Sequence, residues 1–172
     1  MTLPQITVRP LIDSDYTIVA NWLMDKEINR WLYAEWRDRE ISDKLIAITS
    51  KGKKNRMWMG LVNDQPYCLV AVGNISLVDR SGIAWYLRGS KVKRRAGVMT
   101  NCVALALTDA FSTLGLHSIS ASIQAGNISS ERLLKSVGFK QVGVLRQAFY
   151  VNNKFIDRVQ YDLLEQDLNY NS

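Results

Sequence analysis

The chain has 172 residues, 47% of them hydrophobic and 22% charged, with 22 Lys and Arg against 16 Asp and Glu for a formal net charge of +6. That balance describes one domain spanning 1–172 and excludes disorder, collagen-like repeats and coiled coil. The longest apolar runs, 68–72 and 102–107, are core-sized and far short of the roughly 20 residues of a membrane span. No basic segment followed by an apolar stretch opens the chain, so no signal peptide is expected. Cys68 and Cys102 both sit in apolar segments, which predicts free buried thiols in a reducing compartment and hence a cytoplasmic protein.

The elements follow in chain order. Ile6-Thr7-Val8 alternates and predicts a first strand. Asp13-Ser14-Asp15 offers capping oxygens to a helix whose Tyr16, Val19, Ala20 and Leu23 share one face. A second helix is predicted over 42–50, with Leu45 and Ile48 inward and Gly52 near its end. Runs 57–62 and 66–72 flank Asn63-Asp64-Gln65 and read as a hairpin. The second run is expected to continue towards Leu77-Val78, and after a turn at Asp79-Arg80-Ser81-Gly82 a further strand covers 83–87.

The chain then changes character. The basic segment Lys91-Val92-Lys93-Arg94-Arg95-Ala96-Gly97 leads into 98–114, apolar over most of its circumference with a polar stripe at Asn101, Thr108 and Ser112. Such a helix packs against a sheet rather than lying on the surface. Gly115 ends it, and 118–123 alternates as a strand. A short helix follows Asn127, with Leu133, Leu134 and Val137 inward and Gly138 as its stop. Two last strands, about 140–150 and 155–164, meet across Asn152-Asn153. The expected fold is a mixed α/β (α+β) single domain, with a central, mostly antiparallel sheet of about seven strands and about four helices.

Positive charge in excess favours an anionic ligand, whether nucleic acid, acidic protein or a phosphorylated small molecule. Lys51, Lys53, Lys54 and Arg56 form one basic cluster, and Lys91, Lys93, Arg94 and Arg95 form another. The second directly precedes a helix start, where unpaired N–H groups and a partial positive charge attract anions. Arg94 and Arg95 would add bidentate phosphate donors, and Gly97 lets a phosphate approach the backbone. Taken by itself the segment reads equally well as a solvated loop. It is neither a P-loop nor a dinucleotide fingerprint.

Arg94-Arg95-Ala96-Gly97-Val98-Met99 resembles the Arg/Gln-x-x-Gly-x-Gly/Ala loop of the GNAT superfamily of N-acetyltransferases. Asn127 to Phe139 resembles that superfamily's Asn-x-x-Ser-x-x-Leu-Leu-x-x-x-Gly-Phe segment. Leu114-Gly115-Leu116-His117, Gly143-x-x-Arg146 and Asn153-x-x-x-Asp157 are similar to its RimJ/RimL-like branch. The resemblance implies a sheet splayed at the cofactor site. It also implies that Arg94, Arg95, Ala96, Gly97, Val98 and Met99 hold the phosphates of acetyl-CoA. Tyr86 and Leu87 would offer backbone groups to the pantetheine arm, Asn127 would hydrogen-bond that arm, and Ser130 would lie near the thiol. Two departures stand out. Met99 occupies a position that is small in the family, and Leu134 stands where many members carry a tyrosine acid.

The function implied is direct transfer of an acetyl group from acetyl-CoA to a primary amine. The acceptor is either a protein N-terminus of the ribosomal-protein type or an amino-sugar nucleotide, and the branch admits a homodimer. Among carboxylates beside the aromatic stretch Trp31, Tyr33 and Trp36, Glu27 and Glu35 are the candidate bases, with Ser130 as the third catalytic candidate. Tyr150 is a core or site-wall candidate. His117, the single histidine, lacks a serine elbow, and one His with two scattered cysteines offers no metal site. A nucleic-acid-binding basic module and a catalytically degenerate acyl-CoA-binding protein are the alternatives.

Overall fold

Short apolar runs bounded by turn residues build the middle of the chain into an antiparallel meander in the computed structural model, which describes residues 4–37, 39–89 and 91–169. Strands β1 (Ile6–Pro10), β2 (Arg56–Val62), β3 (Gln65–Ser76) and β4 (Ser81–Arg88) pair in chain order. Asn63 and Asp64 reverse the chain between β2 and β3 at φ of 49° and 61°, a left-handed region that short polar side chains tolerate. Strands β5 (Ser118–Gln124), β6 (Lys140–Val151) and β7 (Lys154–Leu164) complete a seven-stranded sheet of order β1-β2-β3-β4-β5-β7-β6. Every adjacent pair is antiparallel except β4 and β5.

Helices cover the meander on both faces. One layer is α1 (Tyr16–Met24), α2 (Lys26–Asn29), α3 (Ala34–Arg37) and α4 (Asp43–Lys51). The other is α5 (Val98–Leu114) and α6 (Ile128–Val137). Strand alternation sorts side chains between them. Met57, Met59, Leu69, Ala71 and Leu87 join Val19, Leu23 and Ile46 in one core. Trp58, Cys68, Val70, Val72 and Ala84 join Cys102, Val103, Leu107, Leu134 and Val137 in the other. The Trp58 Nε1–H donates to the Asp109 carboxylate at 2.8 Å and locks α5 onto β2. Both cysteines are free and buried, and hydrogen bonding to Cys102 together with burial pushes the Cys68 thiol up.

The structure corrects three expectations. Six α-helices occur among the described residues rather than about four; α2 and α3 have four residues each, too few to leave a periodic signature. In α4 the fully buried residue is Ile46, while Ile48 is 63% exposed, because two helical steps of about 100° each carry it to the opposite side. β3 stops at Ser76, and Leu77 and Val78 are exposed in the turn that follows.

Candidate active site

Strands β4 and β5 pair over three positions only: Ser81 with Ser118, Gly82 with Ile119 and Ile83 with Ser120. Past that point β4 stays with β3 as far as Arg88, and β5 stays with β7 as far as Gln124. The facing edges of residues 84–88 and 121–124 therefore have no sheet partner in each other, and their backbone groups are available to a ligand. A cleft of about 630 Å³ fills the split, a volume typical of small-molecule sites. It passes from one face of the sheet to the other, because its walls carry side chains from both cores. Ala84, Tyr86, Ala121 and Ile123 belong to the α5/α6 layer, whereas Trp85 and Leu87 belong to the α1–α4 layer.

One end of the cleft is cationic. The loop after β4 is pinned by Tyr67: the Gly89 N–H donates to its carbonyl at 2.9 Å, and the Arg95 N–H to its hydroxyl at 3.2 Å. Gly97 caps α5 at φ 73°, with no capping side chain. The Asn101 N–H donates to the Gly97 carbonyl at 3.0 Å as the helix ladder begins. The N–H groups of Val98, Met99 and Thr100 precede it and have no acceptor within the helix. A Cβ built on Gly97 would meet nothing within 4 Å, so this start is open to an incoming group. Lys91, Arg94, Arg95 and Arg132 line the same cleft. Backbone donors, helix dipole and guanidinium groups thus converge, which suits a phosphate.

The α6 wall is built from its cap. The Asn127 side chain accepts from the Ser130 N–H at 3.2 Å, and the Tyr86 hydroxyl donates to the Ser130 carbonyl at 3.4 Å. Burial pushes the Tyr86 phenol well above its ordinary value, so it is a neutral donor at physiological pH. Leu134 is fully buried in the α5/α6 core, so α6 offers no hydroxyl at that position.

A strap formed by α2, α3 and the turn between them roofs the other face. Asp25 accepts from the Glu27 N–H at 2.9 Å, and Glu27 pairs with Arg30 at 3.5 Å. Three attachments carry the strap across the split. The Trp36 ring packs on Trp85 of β4 at 5.0 Å between centroids. The Tyr33 hydroxyl hydrogen-bonds the Ser122 hydroxyl of β5. The Gln124 Nε2–H donates to the Arg30 carbonyl at 2.9 Å.

The cleft brings together Glu27, Tyr86, Leu87, Arg94, Arg95, Ala96, Gly97, Met99, Asn127 and Ser130. Val98 is instead buried in the core, leaving only its backbone near the loop. Glu35 is exposed on α3 and does not line the cleft. His117 and Tyr150 also lie outside it; the His117 N–H donates to the Arg80 carbonyl at the closed end of the β4–β5 pair. The basic cluster 51–56 does not line the cleft. It lies at the opposite end of the strands, where Arg56 faces Val72 and the Ile75 N–H donates to the Lys54 carbonyl. Sequence reasoning missed Tyr67, Ser122 and Arg132. Only Ser122 left a trace, since Ser118, Ser120 and Ser122 put hydroxyls on one side of an otherwise apolar strand.

Residues 5–140 match the family model described as an acetyltransferase (GNAT) domain. The chain belongs to the GNAT acetyltransferase family. It is therefore a transferase, and its similarities lie in the RimJ/RimL-like branch that the motifs resemble. YdaF of Bacillus subtilis (strain 168), named for a ribosomal N-acetyltransferase, is 24% identical over 170 residues, 94% of this chain and 92% of that protein. Spermidine N-acetyltransferase from Vibrio cholerae, solved with CoA and spermine, superposes with a TM-score of 0.82 at 20% identity, over 95% of this chain and 97% of that one. RimL, an α-N-acetyltransferase of ribosomal L7/L12 solved with CoA, gives 0.78 at 14% identity, over 92% and 93%. At these identities the superpositions speak to the shared GNAT fold. No helix among the described residues is long and apolar enough to cross a membrane.

Proposed function

We propose that this GNAT enzyme uses acetyl-CoA as its acyl donor and acetylates the α-amino group of a protein N-terminus. The observation that carries the donor assignment is the split between β4 and β5 with Gly97, Arg94 and Arg95 at one end. The phosphates would lie on the start of α5 and its flanking cations. The pantetheine arm would complete the ladder that β4 leaves open along 84–88, with Asn127 and Ser130 beside it. The thioester would then reach the middle of the split, where backbone donors can stabilise the oxyanion as the amine attacks. Glu27 is the predicted carboxylate that reaches the cleft, and it stands as the candidate base. The solved relatives' CoA and the ribosomal names of YdaF and RimL support this reading. The basic cluster 51–56 lies away from the cleft and favours neither a protein nor an amino-sugar-nucleotide acceptor.

The experiment is thermal unfolding with and without saturating acetyl-CoA, against a sulfate-matched control. Ligand at 100 times Kd adds about 2.7 kcal/mol, which for this size is a shift of about 5–10 °C. Arg94→Glu should abolish most of that shift while leaving the unliganded midpoint unchanged. Peptides with free and blocked N-termini, a polyamine and an amino-sugar nucleotide then identify the acceptor by acetyl transfer. A midpoint unmoved by millimolar acetyl-CoA overturns the donor assignment. Transfer to the polyamine or sugar nucleotide alone overturns the acceptor.

A further inference from the structure

We propose that the hydroxyls of Tyr33 and Ser122 together hold the attacking amine at the split and select primary over secondary amines. This rests on the N-acetyltransferase reading above and names the groups on the acceptor side of that same cleft.

Placement is the first argument. Ile83 and Ser120 are the last paired residues of β4 and β5. Ala121 and Ile123 belong to the α5/α6 core, so alternation turns Ser122 to the other face. Ser122 is thus the first β5 side chain past the split on the side roofed by α2 and α3. Tyr33 comes down from that roof and hydrogen-bonds it across 89 residues of sequence. Both residues line the cleft and both are half-buried.

Orientation is the second argument. The Tyr33 ring packs on Phe149 at 5.9 Å, and the Arg158 guanidinium lies 5.3 Å from its centroid and 4.4 Å from that of Phe149. A ring fixed on two sides holds its hydroxyl in place before substrate arrives. Other polar groups on this side are already engaged: Asp25 with the Glu27 N–H, Glu27 with Arg30, and Gln124 with the Arg30 carbonyl. Tyr86 and Ser130 serve the donor side.

The chemistry follows from counting donors and acceptors. One hydroxyl donates to the other, and each oxygen keeps a lone pair for a further hydrogen bond. A neutral primary amine has two N–H bonds and one lone pair. With one N–H on the Tyr33 oxygen and one on the Ser122 oxygen, its lone pair faces the thioester carbon. The C–N bond forms and the C–S bond breaks, the electron pair leaving on the thiolate. Nitrogen gives up one proton, through the hydroxyl pair and water, to the Glu27 carboxylate, and the thiolate takes one from solvent. A secondary amine offers a single N–H, leaves one oxygen unmatched and places a carbon against Tyr33.

The test compares wild type with Tyr33→Phe, Ser122→Ala, Ser122→Thr and the Phe/Ala double variant. Each is assayed with acetyl-CoA and with the preferred acceptor and its N-methyl analogue, and acetyl-CoA affinity is measured by calorimetry. Wild type should prefer the primary amine by about tenfold or more. Tyr33→Phe and Ser122→Ala should each lower kcat/KM for that amine about tenfold without changing acetyl-CoA affinity. Ser122→Thr, which keeps the hydroxyl, should retain most of the rate, and the double variant should lose less than the product of the single losses. If Tyr33→Phe does not fold, the two Ser122 variants decide, because they leave the β5–β7 ladder intact. Rates within twofold of wild type, or weakened acetyl-CoA binding in step with the rate, would show that the pair merely ties down the strap. A wild type that binds acetyl-CoA but acetylates no amine overturns the N-acetyltransferase reading, and this assignment with it.

Discussion

Ile83 of β4 and Ser120 of β5 are the last partners in a parallel register only three residues long. Everything the cleft offers lies just beyond them: open strand edges, Tyr86 towards one core, and Ser122 towards the strap on the other face. The α5 crossover that makes β4 and β5 parallel also sets Gly97 and its arginines at the mouth of the split. One topological step thus creates both the gap and its anion-binding end.

Gly97→Ala tests that end. The left-handed φ of 73° costs a residue with a Cβ about 1 kcal/mol, while the open space around it imposes no clash. The expected outcome is a small loss of stability with a larger loss of acetyl-CoA affinity, about tenfold, since the methyl projects where a phosphate would approach. Calorimetry beside thermal unfolding separates the two, and unchanged affinity would place the phosphates elsewhere.

Gly89→Ala tests the joint between the two layers. A Cβ there would lie 2.5 Å from the Trp22 ring, which is itself buried and cannot swing aside. Overpacking of this kind costs about 1–3 kcal/mol, or roughly 2–4 °C of midpoint per kcal/mol in a chain of this length. A wild-type midpoint would mean that the end of β4 yields freely.

Asp15→Asn tests the attachment of the first strand. Buried Asp15 accepts from Arg9 Nη1 at 2.5 Å, from Arg9 Nη2 at 3.1 Å and from the Ile12 N–H at 2.9 Å. The variant keeps the shape and removes the charge facing the guanidinium. Because the Arg9 side chain is 34% exposed, the expected loss is about 2 kcal/mol, below that of a fully buried pair. Urea unfolding should show a lower midpoint at an unchanged slope.

Tyr86 gives the stability an alkaline edge. Its phenol is raised above the ordinary value of 10 by burial, so the folded chain keeps a proton that the unfolded chain releases. Its contribution is therefore fully present below about pH 10 and is lost as pH climbs towards the folded value. Tyr86→Phe should flatten this decline, leaving a residual slope from Tyr161 and from the Cys68 thiol, both also raised on folding. Urea midpoints at about pH 8 and about pH 10.5 measure it, and equal slopes in the two proteins would remove Tyr86 as the cause.

Much of this architecture was legible before any tertiary contact was known. Seven strands, the buried helix 98–114, the cap at Asn127 and the stop at Gly138 follow from local alternation, helical spacing and turn chemistry. The basic loop 91–97 was legible too, because the charges and glycine that shape it are contiguous in the chain. Helices α2 and α3 were not, since a single turn leaves no period to read. Only the folded sheet decided that β4 and β5 part after Ile83, that cluster 51–56 lies at the far end of the strands, and that Glu27 reaches the cleft while Glu35 does not. The Tyr33–Ser122 contact is of the same kind. Periodicity reports which way a residue faces within its own element, whereas strand order and register, set by packing between distant segments, decide which faces meet.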